Sequence, residues 1–299
     1  MRVFECDVLV VGAGIAGLTA AIYPARQRLR TIIVSMDIGG QLNYVSRIEN
    51  FPGFPEASGR EIIEKLMSQV RRFGASVVVD EVTNVSIDGD RFVVDTRSGT
   101  KFSARAVVVC CGKAPKKLGV PGEDEYRGRG VSYCVLCDAP LFRGRRILFV
   151  AEGVGLSHLS MLSSIAKEVF LVTSSSIDVS SYSNVYLYRN AMVKEIAGDG
   201  RRVRKAVIVD ENGKELSIDV DGVFIELGFE TRIDFVRHLV DVNEKNEIIV
   251  DSMGRTRTRG LFAGGDVVAT PYKQAVIAAA TGAIAGISAT RYVLEEVRR

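Results

Sequence analysis

The sequence is poor in nearly everything that would mark a metalloprotein, a secreted disulfide scaffold or a membrane protein. Its only histidines, His158 and His238, lie far from the cysteine pair at 134 and 137, so a zinc site with four ligands is hard to assemble. Five cysteines in 299 residues are too few to build a disulfide-held secreted fold. After the first residues, no stretch approaches the ~20 apolar residues of a membrane span. The opening "VLVVGAGIAGLTAA" behind Arg2 could pass for a signal peptide, but Glu5, Asp7 and three glycines spoil it, so a mature cytoplasmic start is expected. Side-chain amides are scarce, with four Gln and eight Asn, which points to a thermophilic source.

An excess of either charge is also lacking. The 39 basic residues face 36 acidic ones. The basic runs "RGRR" at 143–146, "RRVRK" at 201–205 and "RTRTR" at 255–259 carry no interleaved aromatics. They read as solvated faces rather than nucleic-acid contacts, and neither a nucleic-acid nor a membrane partner is expected. With 47% hydrophobic and 25% charged residues, the chain is of globular type and long enough for two domains.

The pattern of what is present supports that count. "CDVLVVGAGIAGLTAAIYPARQ" followed by "RTIIVS" is a β-branched run, a glycine turn, a helix and a second strand, one βαβ unit of about 30 residues. A helix follows at "REIIEKLMSQVRRF", with apolar residues at 62, 63, 66, 67 and 70 and Ser58 as its cap. Strands with period two come next. A second βαβ unit runs from "ILFV" at 147 through "LSMLSSIAKE" to "VFLVTSSS", and a small-residue helix closes the chain. The expected class is α/β: two doubly wound Rossmann-like domains of the three-layer ββα type, the second inserted into the first. The sequence places the first domain at 1–114 and 243–299, and the insert at 115–242.

Gly12, Gly14 and Gly17 fit G-x-G-x-x-G between a strand and a helix, the context in which the pattern binds a dinucleotide pyrophosphate. Asp37 stands where a ribose-binding acid could lie, or a surface turn. "GGD" at 264–266 offers Asp266 to a polyol, or is a simple turn. "YCVLCDAP" places Cys134 and Cys137 two residues apart. The pair suits a redox disulfide or half a zinc site, and with no second Cys-x-x-Cys the redox reading outweighs the metal one; no metal is expected.

The glycine loop, "GGQL" at 39–42, "ENFPG" at 49–53, "CVLCD" at 134–138, "GGDV" at 264–267 and "KQA" at 273–275 occur in the order found in the low-molecular-weight thioredoxin reductases, which the chain resembles over nearly its whole length. The resemblance implies an FAD domain interrupted by a nucleotide domain that bears the disulfide. It would give the FAD loop Gly12, Ala13, Gly14, Ile15, Ala16 and Gly17, with Ser35, Met36, Asp37, Gly39, Gly40 and Gln41 along the nucleotide. Asn50, the backbone near Val82, Cys111, Gly112 and Gly265 would add contacts. Asp266 would bind the ribityl chain, and Lys273, Gln274 and Ala275 would border the flavin ring. Cys137 would meet the flavin, Cys134 would attack the substrate disulfide, and Asp138 would relay a proton. The implied partner is a thioredoxin- or glutaredoxin-like protein, and the implied assembly a homodimer. Cys110 and Cys111 read as small residues beside the flavin rather than as a third redox pair.

The departures cluster in the second glycine loop. The family's G-G-G-x-x-A becomes "AEGVGL" from Ala151, with one residue missing, and the H-R-R-x-x-x-R that clamps the 2'-phosphate of NADPH becomes Thr173, Ser174, Ser175 and Val179. A carboxylate such as Glu152, about 5 Å from a phosphate, costs roughly 3 kcal/mol, and each missing charge-assisted bond removes about 1.5 to 3 more. These losses argue against NADPH as donor. NADH has no 2'-phosphate and is untouched by the missing arginines, though not by Glu152. Ferredoxin is a candidate donor, lying about 130 mV below thioredoxin in potential, or roughly 6 kcal/mol for two electrons. The competing functions are an FAD-dependent dithiol oxidase that passes electrons to oxygen and a flavin redox sensor without turnover. A ferredoxin-NADP reductase would need no Cys-x-x-Cys.

Overall fold

The computed structural model describes residues 3–45 and 47–296, with side chains to residue 295. Arg2, which bears on the reading of the N-terminus, and Val297 at the end of the last predicted helix lie outside them. In chain order the strands and helices are β1 (Val3–Ala13), α1 (Ile15–Arg26), β2 (Thr31–Ile38), α2 (Gly59–Arg72), β3 (Ser76–Val79), β4 (Val82–Asp88), β5 (Arg91–Thr96) and β6 (Lys101–Val109). Then come β7 (Ala114–Pro115), β8 (Val131–Ser132), α3 (Val135–Asp138), β9 (Arg146–Ala151), α4 (Leu159–Ile165), β10 (Glu168–Thr173) and β11 (Val185–Arg189). The rest are β12 (Met192–Gly198), β13 (Val203–Val209), β14 (Glu215–Asp219), β15 (Gly222–Glu226), β16 (Phe229–Glu230), β17 (Leu261–Ala263) and α5 (Ala275–Glu296).

Two compact units result, residues 1–114 with 231–299 and residues 115–230. In the first, β3, β2, β1, β6 and β17 pair in parallel, and β4 and β5 extend the sheet antiparallel from β6. One face of the sheet buries Val8, Val10 and Ile33 under α1, α2 and α5. The other buries Leu9, Val11 and Val34 with the β4–β5 hairpin. The alternation follows from the pleat, which sends successive side chains to opposite faces. Ser58 caps α2 by accepting a hydrogen bond from Glu61 N–H at 3.1 Å, and Ile62, Ile63, Met67 and Val70 turn inward, as the helical spacing predicts.

The second crossing falls at 230/231 rather than at the expected 242/243. Ile233, Val236 and Val240 are the reason: all three are buried in the core of the first unit, so the segment after β16 belongs there. The last helix corrects a second expectation. Ala275–Glu295 is apolar over 21 residues, with mean hydropathy 1.3, and so meets the length and composition of a spanning helix. It packs on α1 instead: a Cβ at Gly282 would stand 2.3 Å from Ala16 O, and one at Gly286 2.3 Å from Ala20 O.

The second unit repeats the plan. Its five-stranded sheet runs β11-β10-β9-β15-β8, all parallel, with the antiparallel β12-β13-β14 sheet beside it. Val135, Leu159 and Leu162 pack with Phe149 and Phe224 on one face, and Val131, Leu148 and Val150 pack with Ile208 and Ile218 on the other.

Candidate functional site

The first unit gathers polar groups at the carboxyl ends of its parallel strands, the position where open α/β sheets take ligands. Gly12 has φ +105°, and a Cβ there would lie 2.4 Å from Cys110 O; one at Gly17 would lie 1.8 Å from Gly12 O. Only glycine fits either position. Gly14 caps α1 with no side-chain hydrogen bond and faces open space, so the first amides of the helix are left to a ligand. This cradle fits a dinucleotide pyrophosphate.

The other expected residues stand around it. Ser35 Oγ accepts from Ala13 N–H at 2.9 Å, and Gly39 N–H donates to Ala13 O at 2.9 Å. Asp37 accepts from Gly40 N–H at 2.8 Å, so one oxygen of the expected ribose acid holds its own turn. Gln41 donates to Lys113 O at 3.0 Å and to Asp266 at 3.4 Å, and Asn50 donates to Gln274 at 3.2 Å. A Cβ at Gly265 would lie 2.6 Å from that of Ala16, which is buried with Ile15 in the core below. Gly112 follows Cys111 with φ +66°. Met36 is exposed, and Val82 is buried where β4 begins.

Burial sets the charges here. It raises the Asp266 carboxyl above its ordinary range, against the pull of Lys273 and Lys113. Lys113 and Lys273 share Glu247 at 2.5 and 3.1 Å; Ala275 begins α5 just beyond. Burial raises the Cys110 thiol strongly and pushes Cys111 up to about 12, so neither is a thiolate near neutrality.

In the second unit Cys134 and Cys137 are joined as a disulfide with their Cα atoms 5.3 Å apart. Cys134 caps α3, and its Sγ accepts from Cys137 N–H at 3.2 Å. Ser132 Oγ donates to Asp138 at 2.6 Å, while burial holds the Asp138 carboxyl above its ordinary range. Glu226, at the end of β15, accepts from Val135 N–H at 3.0 Å through one oxygen and bonds His158 Nδ1 through the other. Sequence reasoning missed this link, because no spacing rule joins residues 135, 158 and 226. Leu136 and Leu141 flank the pair as exposed apolar side chains. Among the described residues, no group of three or more His, Cys, Asp and Glu is placed to hold a metal.

The loop after β9 differs from the loop after β1. A 3-10 turn, Gly153–His158, stands where α1 has its first helical turn, and α4 begins only at Leu159. Glu152 is not a loose charge. Its Oε1 accepts from Ser174 N–H at 2.6 Å and from Ser174 Oγ at 2.9 Å, and its Oε2 accepts from Ser175 Oγ at 2.5 Å. Burial opposes its ionisation, but the bonds from Ser174, Ser175 and Thr173 outweigh that and hold the carboxyl below its usual range. Val179, at the last of the three missing arginine positions, packs into the core instead. The sequence shows the acid and the serines as separate substitutions, whereas the fold makes them one bonded group. An acid at the end of one strand opposite serines at the end of the next was the available signal.

The family model described as pyridine nucleotide-disulphide oxidoreductase matches residues 6–282. The chain is 35% identical to thioredoxin reductase of Bacillus subtilis, covering 97% of this chain and 95% of that protein. It is 34% identical to an alkyl hydroperoxide reductase component of Pseudomonas aeruginosa, covering 96% of this chain but only 58% of that longer protein. Among solved structures, thioredoxin reductase of Streptococcus pyogenes superposes with a TM-score of 0.90 at 32% identity, covering 97% of this chain and 99% of that one.

Proposed function

Because the chain belongs to the pyridine nucleotide-disulphide oxidoreductase family, we propose that it is a thioredoxin reductase-like flavoprotein whose electrons come from a donor other than NADPH. They pass through Cys134 and Cys137 to a thioredoxin- or glutaredoxin-like protein disulfide. FAD would lie in the cradle of Gly12–Gly17, Ser35–Gln41, Asn50, Asp266 and Lys273–Ala275, and when bound it supplies the two electrons that open the disulfide. Opening the S–S bond leaves two sulfurs to be charged or protonated. Cys137 N–H already points at Cys134 Sγ and favours the thiolate there. Asp138, whose carboxyl burial raises above its ordinary range, is the proton donor for the other sulfur.

The Cys134 thiolate attacks the substrate disulfide, one substrate sulfur leaves as thiolate, and a mixed disulfide forms. Cys137 then attacks Cys134 Sγ, re-forming the internal disulfide and releasing the second substrate sulfur. Two electrons leave the protein, and two protons are taken up by the product dithiol.

The observation that carries the donor assignment is the Glu152 carboxylate bound by Ser174 and Ser175. Ser174 and Ser175 stand at two of the positions where the resemblance puts the arginines that clamp the 2'-phosphate of NADPH, and here they bond an internal anion instead. NADH gains no exemption, since its pyrophosphate meets the same carboxylate and a 3-10 turn in place of a helix N-terminus. A low-potential carrier such as ferredoxin needs no nucleotide loop.

The function can be tested without knowing the donor. FAD-loaded protein is photoreduced anaerobically and mixed with oxidised thioredoxin, and flavin reoxidation is followed by absorbance. The wild type should reoxidise and Cys134→Ser should not. Undiminished reoxidation in Cys134→Ser would remove the disulfide from the path.

A further inference from the structure

The cysteine pair has a charged neighbour with no part in the electron path described above. Glu226 ends β15 with its side chain 11% exposed. Both of its carboxylate oxygens are engaged: Oε1 accepts from Val135 N–H at 3.0 Å, and Oε2 bonds Nδ1 of His158. An ionised carboxylate only accepts, so the imidazole carries a proton on Nδ1 and donates it. The loop after β9 is pinned to the same strand end, since Glu152 N–H donates to Glu226 O at 3.2 Å and a Cβ at Gly155 would lie 2.4 Å from that oxygen. Only glycine allows this approach, which brings His158 to the carboxylate.

Val135 is buried, opens α3 and follows Cys134 directly. Its amide needs an acceptor, but a neutral one would serve: in the same turn Ser132 Oγ accepts from Cys134 N–H at 3.1 Å. A carboxylate brings a charge as well, and brings it to a helix end whose amides otherwise favour an anion. Among those amides, Cys137 N–H points at Cys134 Sγ at 3.2 Å. When two electrons open the S–S bond, Cys137 takes a proton from Asp138 and Cys134 keeps the negative charge. That charge forms one residue from the amide that Glu226 holds, and the carboxylate opposes it. A pair whose reduced form is disfavoured has a lower potential and is the stronger reductant.

We propose that Glu226, held in place by His158, sets the reduction potential of the Cys134–Cys137 pair, its carboxylate lowering that potential by opposing the thiolate formed on Cys134. Glu226 acts through the Val135 amide and through its field, and His158 acts through Glu226, so both are positioning residues. The inference rests on the reading of the pair as the exit for electrons and deepens it: a strongly reducing pair asks for a donor of lower potential still, as a low-potential carrier supplies.

The test equilibrates the FAD-loaded protein with dithiothreitol buffers of stepped reduced-to-oxidised ratio at pH 9, above the ordinary thiol value of about 8.5. After quenching and unfolding, the mass of maleimide added reads the fraction of the pair that is reduced. Glu226→Gln keeps both hydrogen bonds and removes the charge. Its reduced form should be favoured about fivefold or more over that of the wild type, a rise of about 20 mV for a two-electron couple. His158→Asn, whose amide reproduces the Nδ1 donor, should stay within about twofold of the wild type, whereas His158→Ala should shift in the direction of Glu226→Gln. Far-UV circular dichroism should be unchanged in all three. A wild-type equilibrium in Glu226→Gln, or a shift towards its oxidised form, overturns the proposal; a shift confined to Glu226→Ala would leave the side chain a packing role alone. Equal shifts in His158→Asn and His158→Ala would overturn the part given to His158. Because dithiothreitol replaces donor and acceptor, failure to reduce thioredoxin would refute the proposed function and leave this result standing.

Discussion

Replacing Glu152 by Gln keeps the shape of the side chain and removes its charge. In the wild type three donors converge on that carboxylate, at 2.6, 2.9 and 2.5 Å. A unit charge about 5 Å from an incoming phosphate, at the effective dielectric of about 20 that suits a protein surface, costs roughly 3 kcal/mol. That is a factor of about 100 in affinity. The 3-10 turn at Gly153–His158 stays in the variant and continues to withhold the helix amides, so the gain should fall short of the full factor. Glu152→Gln should therefore bind NADH about 10- to 100-fold more tightly than the wild type. NADPH should gain less than NADH, because Thr173, Ser174, Ser175 and Val179 leave its 2'-phosphate without arginines. Equilibrium dialysis of each nucleotide against the FAD-loaded proteins reads both ratios. Equal NADH affinity in wild type and variant, with the variant folded, would refute the idea that the carboxylate closes the site. Since the Glu152 carboxyl is held below its usual range, its bonds stabilise the wild type at neutral pH. That advantage over the variant should fade as pH falls through the folded carboxyl's range.

Three further outcomes follow from the geometry. Asp138, raised by burial, acts protonated, so flavin reoxidation by thioredoxin should slow as pH rises through its titration; Asp138→Asn should be roughly 100-fold slower and lose that limb of the profile. Glu247 is held at about 2 because the bonds from Lys113, Asn243 and Lys273 outweigh the opposing effect of burial. Its stabilisation should be complete above its ordinary value of 4.5 and lost between there and about 2, and Glu247→Gln should cost about 3 to 5 kcal/mol at neutral pH in chemical denaturation. Ser58→Ala removes the cap of α2 and should destabilise the first unit by about 1 kcal/mol, measured the same way.

Much of the architecture was legible because it depends on short-range pattern. The glycine turns between strand and helix, the Ser58 cap and the period-two strands each follow from local sterics. The insertion boundary was not, because Ile233, Val236 and Val240 gain their place from a sheet face built by residues over a hundred positions earlier. The depth of α5 was hidden for a related reason: Gly282 and Gly286 make sense only against α1. At the candidate site, the cysteine pair and the first glycine loop announce themselves by spacing. The bonding of Glu152 to Ser174 and Ser175, and of Glu226 to Val135 and His158, crosses between strand ends and leaves no periodic trace.

The central claim, that the second glycine loop is closed to NADPH by its own carboxylate, is tested most directly by anaerobic titration of the FAD-loaded wild type with NADPH, followed at the flavin absorbance band. The account predicts no bleaching with NADPH in excess, in protein whose flavin bleaches promptly with reduced ferredoxin or a dithiol. Prompt bleaching by stoichiometric NADPH would contradict it.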